Sequence, residues 1–65
     1  MQIYVNGKAR EVQASMMQAA LVELGYANAT IATALNGEFV PIALRASMPI
    51  ASNDKLEIVA PMQGG

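Results

Sequence analysis

A carboxylate carried on a pair of glycines is the strongest candidate for chemistry in this sequence. The 65-residue chain finishes Pro61-Met62-Gln63-Gly64-Gly65. Without Cβ atoms, Gly64 and Gly65 can pass through a channel too narrow for other residues, and they can adopt φ values closed to other residues. The group they would carry into such a channel is the α-carboxylate of Gly65, with Gln63 and Met62 completing the segment that has to fit. Other reactive groups are scarce. There is no Cys and no His, which removes thiolate and imidazole nucleophiles and the commonest metal ligands. Glu11, Glu23, Glu38, Asp54 and Glu57 fall at turns and outward positions with no paired spacing, so they read as solvated charges rather than as an acid–base pair. Arg45 and Lys55 are isolated in the sequence and read as surface cations. The chain therefore reads as one that is acted upon, not as an enzyme.

Such an end has meaning only if a folded body holds it out. Hydrophobic residues make up 54% of the chain and charged residues 14%, which favours an apolar core over a disordered chain. The length is enough for one domain and not for two. Net charge is −1, and Lys8, Arg10, Arg45 and Lys55 form no cluster, so the basic footprint of a nucleic-acid binder is missing. No apolar run approaches the ~20 residues that span a bilayer, and Met1-Gln2 opens directly into strand-like sequence. A soluble, cytoplasmic protein without membrane attachment is the expectation.

The elements can be placed by period. Residues 2–6 alternate, with Met1, Ile3 and Val5 on one face and Gln2 and Tyr4 on the other. Asn6-Gly7 suits a two-residue hairpin turn whose central positions need positive φ. Residues 8–13 should return antiparallel, with Val12 inward and Arg10 and Glu11 marking an edge strand. Ser15 with Gln18 three residues later has the spacing of a capping box, and Met17, Ala20, Leu21 and Leu24 then recur as one apolar helical stripe. Gly25 sits where a left-handed helix cap belongs. Residues 26–30 read as a connector. Residues 31–35 form a second strand-like run, turned at Asn36-Gly37 into a short returning strand that Pro41 stops. Residues 42–52 read as an ordered loop with one helical turn over residues 43–46. Residues 55–60 alternate again, with Leu56, Ile58 and Ala60 inward and Lys55, Glu57 and Val59 outward.

These elements describe an α+β domain, a mixed sheet of about five strands packed on one main helix. The N-terminal strand is expected at the centre of the sheet, with the last strand parallel beside it. Residues 1–60 form the body and residues 61–65 a flexible tail. Val59 and Tyr4, both outward, are expected to flank an exposed apolar patch next to Met62 that serves partner docking.

The order of elements, the segment Ala34-Leu35-Asn36-Gly37-Glu38-Phe39-Val40-Pro41 and the terminal Gly64-Gly65 together resemble the ubiquitin-like β-grasp sulfur carriers, and within them the ThiS family of thiamine biosynthesis. The resemblance runs from Met1-Gln2-Ile3 to Gly65. It implies a carrier whose Gly65 carboxylate is adenylated by a ubiquitin-activating-type enzyme and converted to a thiocarboxylate. Sulfur would come from a donor such as a cysteine desulfurase and pass to thiazole synthase. The scheme asks no base, nucleophile, metal or cofactor of this chain, since ATP and magnesium belong to the activating partner. Carriers for molybdopterin synthesis or tRNA thiolation share tail and fold, and a β-grasp interaction module with an inert tail is the alternative of another class.

Overall fold

A computed structural model of the chain describes residues 1–61, and its architecture starts from two Asn-Gly turns. Asn6 and Gly7 take φ of 51° and 83°, and Asn36 and Gly37 take 52° and 86°, the left-handed pairs a tight hairpin needs. The first turn joins β1 (Gln2–Val5) to β2 (Lys8–Glu11), pairing Val5 with Lys8 and Gln2 with Glu11. The second joins β3 (Ala32–Leu35) to β4 (Glu38–Val40), pairing Leu35 with Glu38 and Thr33 with Val40. The last strand, β5 (Lys55–Val59), lies between the hairpins, parallel to β1 and antiparallel to β3. The five-stranded order is β2-β1-β5-β3-β4, so β2 is an edge, as its charges suggest.

This order corrects one expectation. The centre of the sheet is β5, not the N-terminal strand, because β5 has the reach to pair with both hairpins at once. Alternation along β5 buries Leu56 and Ile58 and exposes Lys55, Glu57 and Val59. Ala60, expected inward, is exposed, since the strand ends at Val59.

One helix, α1 (Met17–Glu23), buries Met17, Ala20 and Leu21 against Ile3, Val5, Val12, Leu56 and Ile58, while Leu24 packs at the margin. Burial of such side chains contributes about 1.5–3 kcal/mol each relative to exposure. Met16 and Val22 point to solvent. The helix ends in a Schellman motif: Tyr26 N–H donates to Leu21 O at 2.8 Å and Gly25 N–H to Val22 O at 3.1 Å, with Gly25 at φ 96°.

The capping box does not form. The N-cap is Met16, in extended conformation and without a side-chain cap. Instead Met17 N–H donates to Met48 O at 2.8 Å and Ile50 N–H to Ser15 O at 2.9 Å, a backbone pairing with the 48–50 segment that caps the helix from outside. Glu23 binds the connection between β2 and α1 from the other end of the helix, accepting from Gln13 N–H at 2.9 Å and Ala14 N–H at 2.6 Å.

Residues 42–52 contain more helix than one turn, a 3-10 helix over Ile42–Ser47. Arg45 on this helix is 7% exposed, which overturns its reading as a surface cation. Its Nε donates to Thr33 Oγ1 at 3.0 Å and its Nη2 to Ile31 O at 2.7 Å, while Thr33 Oγ1 donates to Val40 O at 2.9 Å. A delocalised guanidinium tolerates such burial better than an ammonium would, provided its donors find acceptors. The relay ties the 3-10 helix to β3 and β4 beneath the sheet.

Candidate functional site

The site is built where β5 runs out. Val59 is 63% exposed on the sheet face turned away from α1, and Ala60 and Pro61 are exposed beyond it. Met62, Gln63, Gly64 and Gly65, the residues expected to carry and deliver the reactive carboxylate, lie outside the described residues. Covalent geometry alone limits their reach: six residues beyond Val59 span at most about 20 Å.

Two asparagine side chains fasten β5 to its neighbours, one on each side. On the β3 side, Lys55 N–H donates to Asn36 Oδ1 at 3.0 Å while Asn36 N–H donates to Lys55 O at 2.8 Å. Asn36 Nδ2 also donates to Asp54 Oδ1 at 3.1 Å. On the β1 side, Asn6 N–H donates to Leu56 O at 2.9 Å, Ile58 N–H donates to Asn6 Oδ1 at 2.8 Å, and Asn6 Nδ2 donates to Ile58 O at 3.0 Å. The first clamp lies at the start of β5 and the second near its end.

The outer face of the sheet is divided. Val59 stands opposite Ala32, and on the next strand Ala34 stands opposite Phe39, which is 69% exposed. Val59, Ala32, Ala34 and Phe39 share this face, two small residues between two large ones, with Glu57 opposite Ala34 at its margin. Tyr4 shares the face but stands apart from these residues. It is half-buried, pairs with Lys55, and its hydroxyl accepts from Gln2 Nε2 at 3.2 Å. Val59 lies four positions beyond Lys55, about 13 Å along a strand, and Glu57 lies between them. The structure thus does not bring Tyr4 and Val59 together; the exposed aromatic on the β3–β4 half of this face is Phe39. The signal for Phe39 was present, since a two-residue turn at Asn36-Gly37 fixes Phe39 opposite Ala34 and on the face opposite to Val40.

Around Tyr4 an open groove of about 500 Å³ is lined by Tyr4, Asn6, Gly7, Lys55, Leu56 and Glu57. Its two charges are of opposite sign, and they define no single ligand. Among the described residues no group of three or more Asp, Glu, His or Cys could hold a metal ion. No helix among them is long and apolar enough to cross a membrane.

Comparison with known proteins adds a family to this geometry. The sequence model of the ThiS family matches residues 3–65, from the first strand to the final glycine. The chain belongs to the ThiS family. The ThiS assignment extends to the fold: a crystal structure of the thiamine biosynthesis protein ThiS from Geobacter metallireducens superposes with a TM-score of 0.83 at 28% identity, covering 100% of both chains. The ubiquitin-like β-grasp architecture is thus established for this ThiS-family chain. A thiazole synthase of Paramagnetospirillum magneticum (strain ATCC 700264 / AMB-1) is 41% identical over 66 residues. The match covers 100% of this chain and 20% of that relative, so this chain spans about a fifth of the relative's length.

Proposed function

We propose that this chain is a sulfur carrier for thiazole formation in thiamine biosynthesis, and that its working group is the Gly65 carboxylate. The observation that carries the reading is the ThiS-family match over residues 3–65, which includes the Gly64-Gly65 end. A carboxylate is a poor acyl donor because neither oxygen leaves readily. An activating enzyme joins AMP to it, releasing pyrophosphate, and so supplies a leaving group. The terminal sulfur of a persulfide then displaces AMP, and thiol exchange frees the thiocarboxylate. Its sulfur passes to the thiazole-forming enzyme. The likeness of this chain to part of a thiazole synthase supports that acceptor over the other sulfur-requiring pathways. ATP, magnesium, the persulfide and the reducing thiol belong to partners, so the chain contributes docking and delivery rather than catalysis. Val59 at the end of β5 and Phe39 two strands away on β4 supply the apolar docking surface.

The test is the intact mass of the chain after incubation with ATP, an activating enzyme and a sulfur donor. The expected product is heavier by the difference between one sulfur and one oxygen, with the change confined to the C-terminal peptide. Gly64→Val should abolish the change without altering the fold, because a side chain there must pass the same constriction as the backbone. A Gly64→Val chain modified as fast as its parent, or a parent that no cognate activating enzyme modifies, overturns the reading.

A further inference from the structure

We propose that the Asn6 carboxamide is a positioning residue for delivery of the tail, a role that rests on the carrier reading above and goes beyond it. The inference begins with a mismatch in strand length. In the parallel pairing β1 ends at Val5 opposite Leu56, whereas β5 continues to Val59. On the β3 side the ladder continues to the end, with Val59 paired to Ala32. On the β1 side no backbone remains to pair with Ile58, because the chain has already entered the turn at Asn6-Gly7.

The Asn6 side chain fills that gap. Its Oδ1 accepts from Ile58 N–H and its Nδ2 donates to Ile58 O, at 2.8 and 3.0 Å, so one amide replaces the two bonds that a longer β1 would have made. Only a carboxamide does both: a carboxylate lacks the donor, and glutamine is longer by one methylene. The residue must also accept φ of 51°, which Asn tolerates. Asn6 is therefore specified twice, once by the turn and once by Ile58. Alternate residues of a strand direct their amides to the same side, so Ala60 follows Ile58 on the side that Asn6 closes. Among the described residues Asn6 is the last grip on that side of β5, and through Ile58 it fixes the strand end from which residues beyond Pro61 continue.

Asn36 provides the internal control. It occupies the same place in the same kind of turn and also uses its carboxamide on β5, but it holds Lys55, at the end of the strand remote from the tail. If the two amides serve stability alone, their removal should have the same consequences. If Asn6 aims the tail, only its removal should affect delivery.

The experiment replaces each asparagine with glycine, which keeps the positive φ of each turn and removes the amide. Three quantities are compared in Asn6→Gly, Asn36→Gly and the parent: the unfolding midpoint, the NMR order parameter of the Ala60 amide, and kcat and KM for adenylation by an activating enzyme. The expected result is a similar loss of midpoint in both variants. In Asn6→Gly alone, the Ala60 order parameter should fall and kcat should drop roughly tenfold at unchanged KM, as expected when a reacting group is misplaced without loss of docking. Asn6→Asp, which keeps the acceptor and loses the donor, should lie between the parent and Asn6→Gly. Equal effects of Asn6→Gly and Asn36→Gly on kcat, or an Ala60 amide as ordered in Asn6→Gly as in the parent, overturn the proposal. A parent chain that no activating enzyme adenylates removes the carrier reading, and the Ala60 comparison then still decides whether Asn6 fixes the end of β5.

Discussion

The two halves of the outer sheet face differ in what they offer a partner. On the β2–β1 half, Glu11, Gln2 and Tyr4 with the neighbouring Lys55 present charge, an intra-strand hydrogen bond and a half-buried ring. On the half that includes β3, β4 and the end of β5, Ala32, Ala34, Phe39 and Val59 present apolar surface. The difference teaches which half a partner should hold. A small protein leaves large apolar groups in water at a cost in solubility, and the apolar half is the one beside the departing chain. The halves are also supported differently. Beneath the apolar half lies the buried relay from Arg45 to Thr33 and Val40, while beneath β1 lie Ile3 and Val5 in the apolar core.

The sharpest way to break the comparison is to remove its hidden support. Arg45→Ala takes away two buried hydrogen bonds and strips Ile31 O of its donor, at a cost of about 1–3 kcal/mol for that group, while Thr33 Oγ1 keeps its bond to Val40 O. In a domain of this size that is a large part of the total stability. The expected outcome is a lower midpoint in denaturant, with amide exchange accelerated first in β3 and β4. Uniform acceleration across all five strands would show that the two halves share one support.

A smaller effect is expected from charging the apolar half. Phe39→Glu combined with Val59→Glu should leave the fold intact, since both side chains are exposed, and should raise KM for adenylation by roughly thirtyfold, the scale of a lost hot spot of about 2 kcal/mol. Loss of folding instead would place one of these side chains in the core and shift the register by one. The least change should follow Tyr4→Glu, with KM moving by no more than about threefold, within the range of near-neutral positions around a hot spot. A Tyr4 effect as large as that of the pair would return the docking surface to the β1 half.

The sequence was informative wherever a local rule decided the geometry. Asn6-Gly7 and Asn36-Gly37 fixed both hairpins, because few residue pairs accept two positive φ values in succession. The stripe of Met17, Ala20 and Leu21 and the cap at Gly25 were legible for the same reason. The misses all depend on partners distant in sequence. Ser15 and Gln18 have capping-box spacing, but the 48–50 backbone reaches the helix start first. Arg45 gives no local sign of burial, since its acceptors lie 12 and 14 residues away, on β3 and just before it. The separation of Tyr4 from Val59 depends on the parallel register of β1 and β5, which no turn specifies. The same limit applies to Asn6, whose turn role was visible and whose hold on Ile58, 52 residues away, was not.

The central place of β5 has a consequence for how the molecule is made. A ribosome produces the hairpins and the helix first, and none of them can join into a sheet until Lys55–Val59 emerges to connect β1 with β3. Pairings across such long sequence separation form late. A nascent chain broken off before Lys55 holds two unconnected hairpins and has no body on which to present anything. Closure of the sheet therefore waits for its keystone: only a chain translated through Val59 can join the two hairpins into one body.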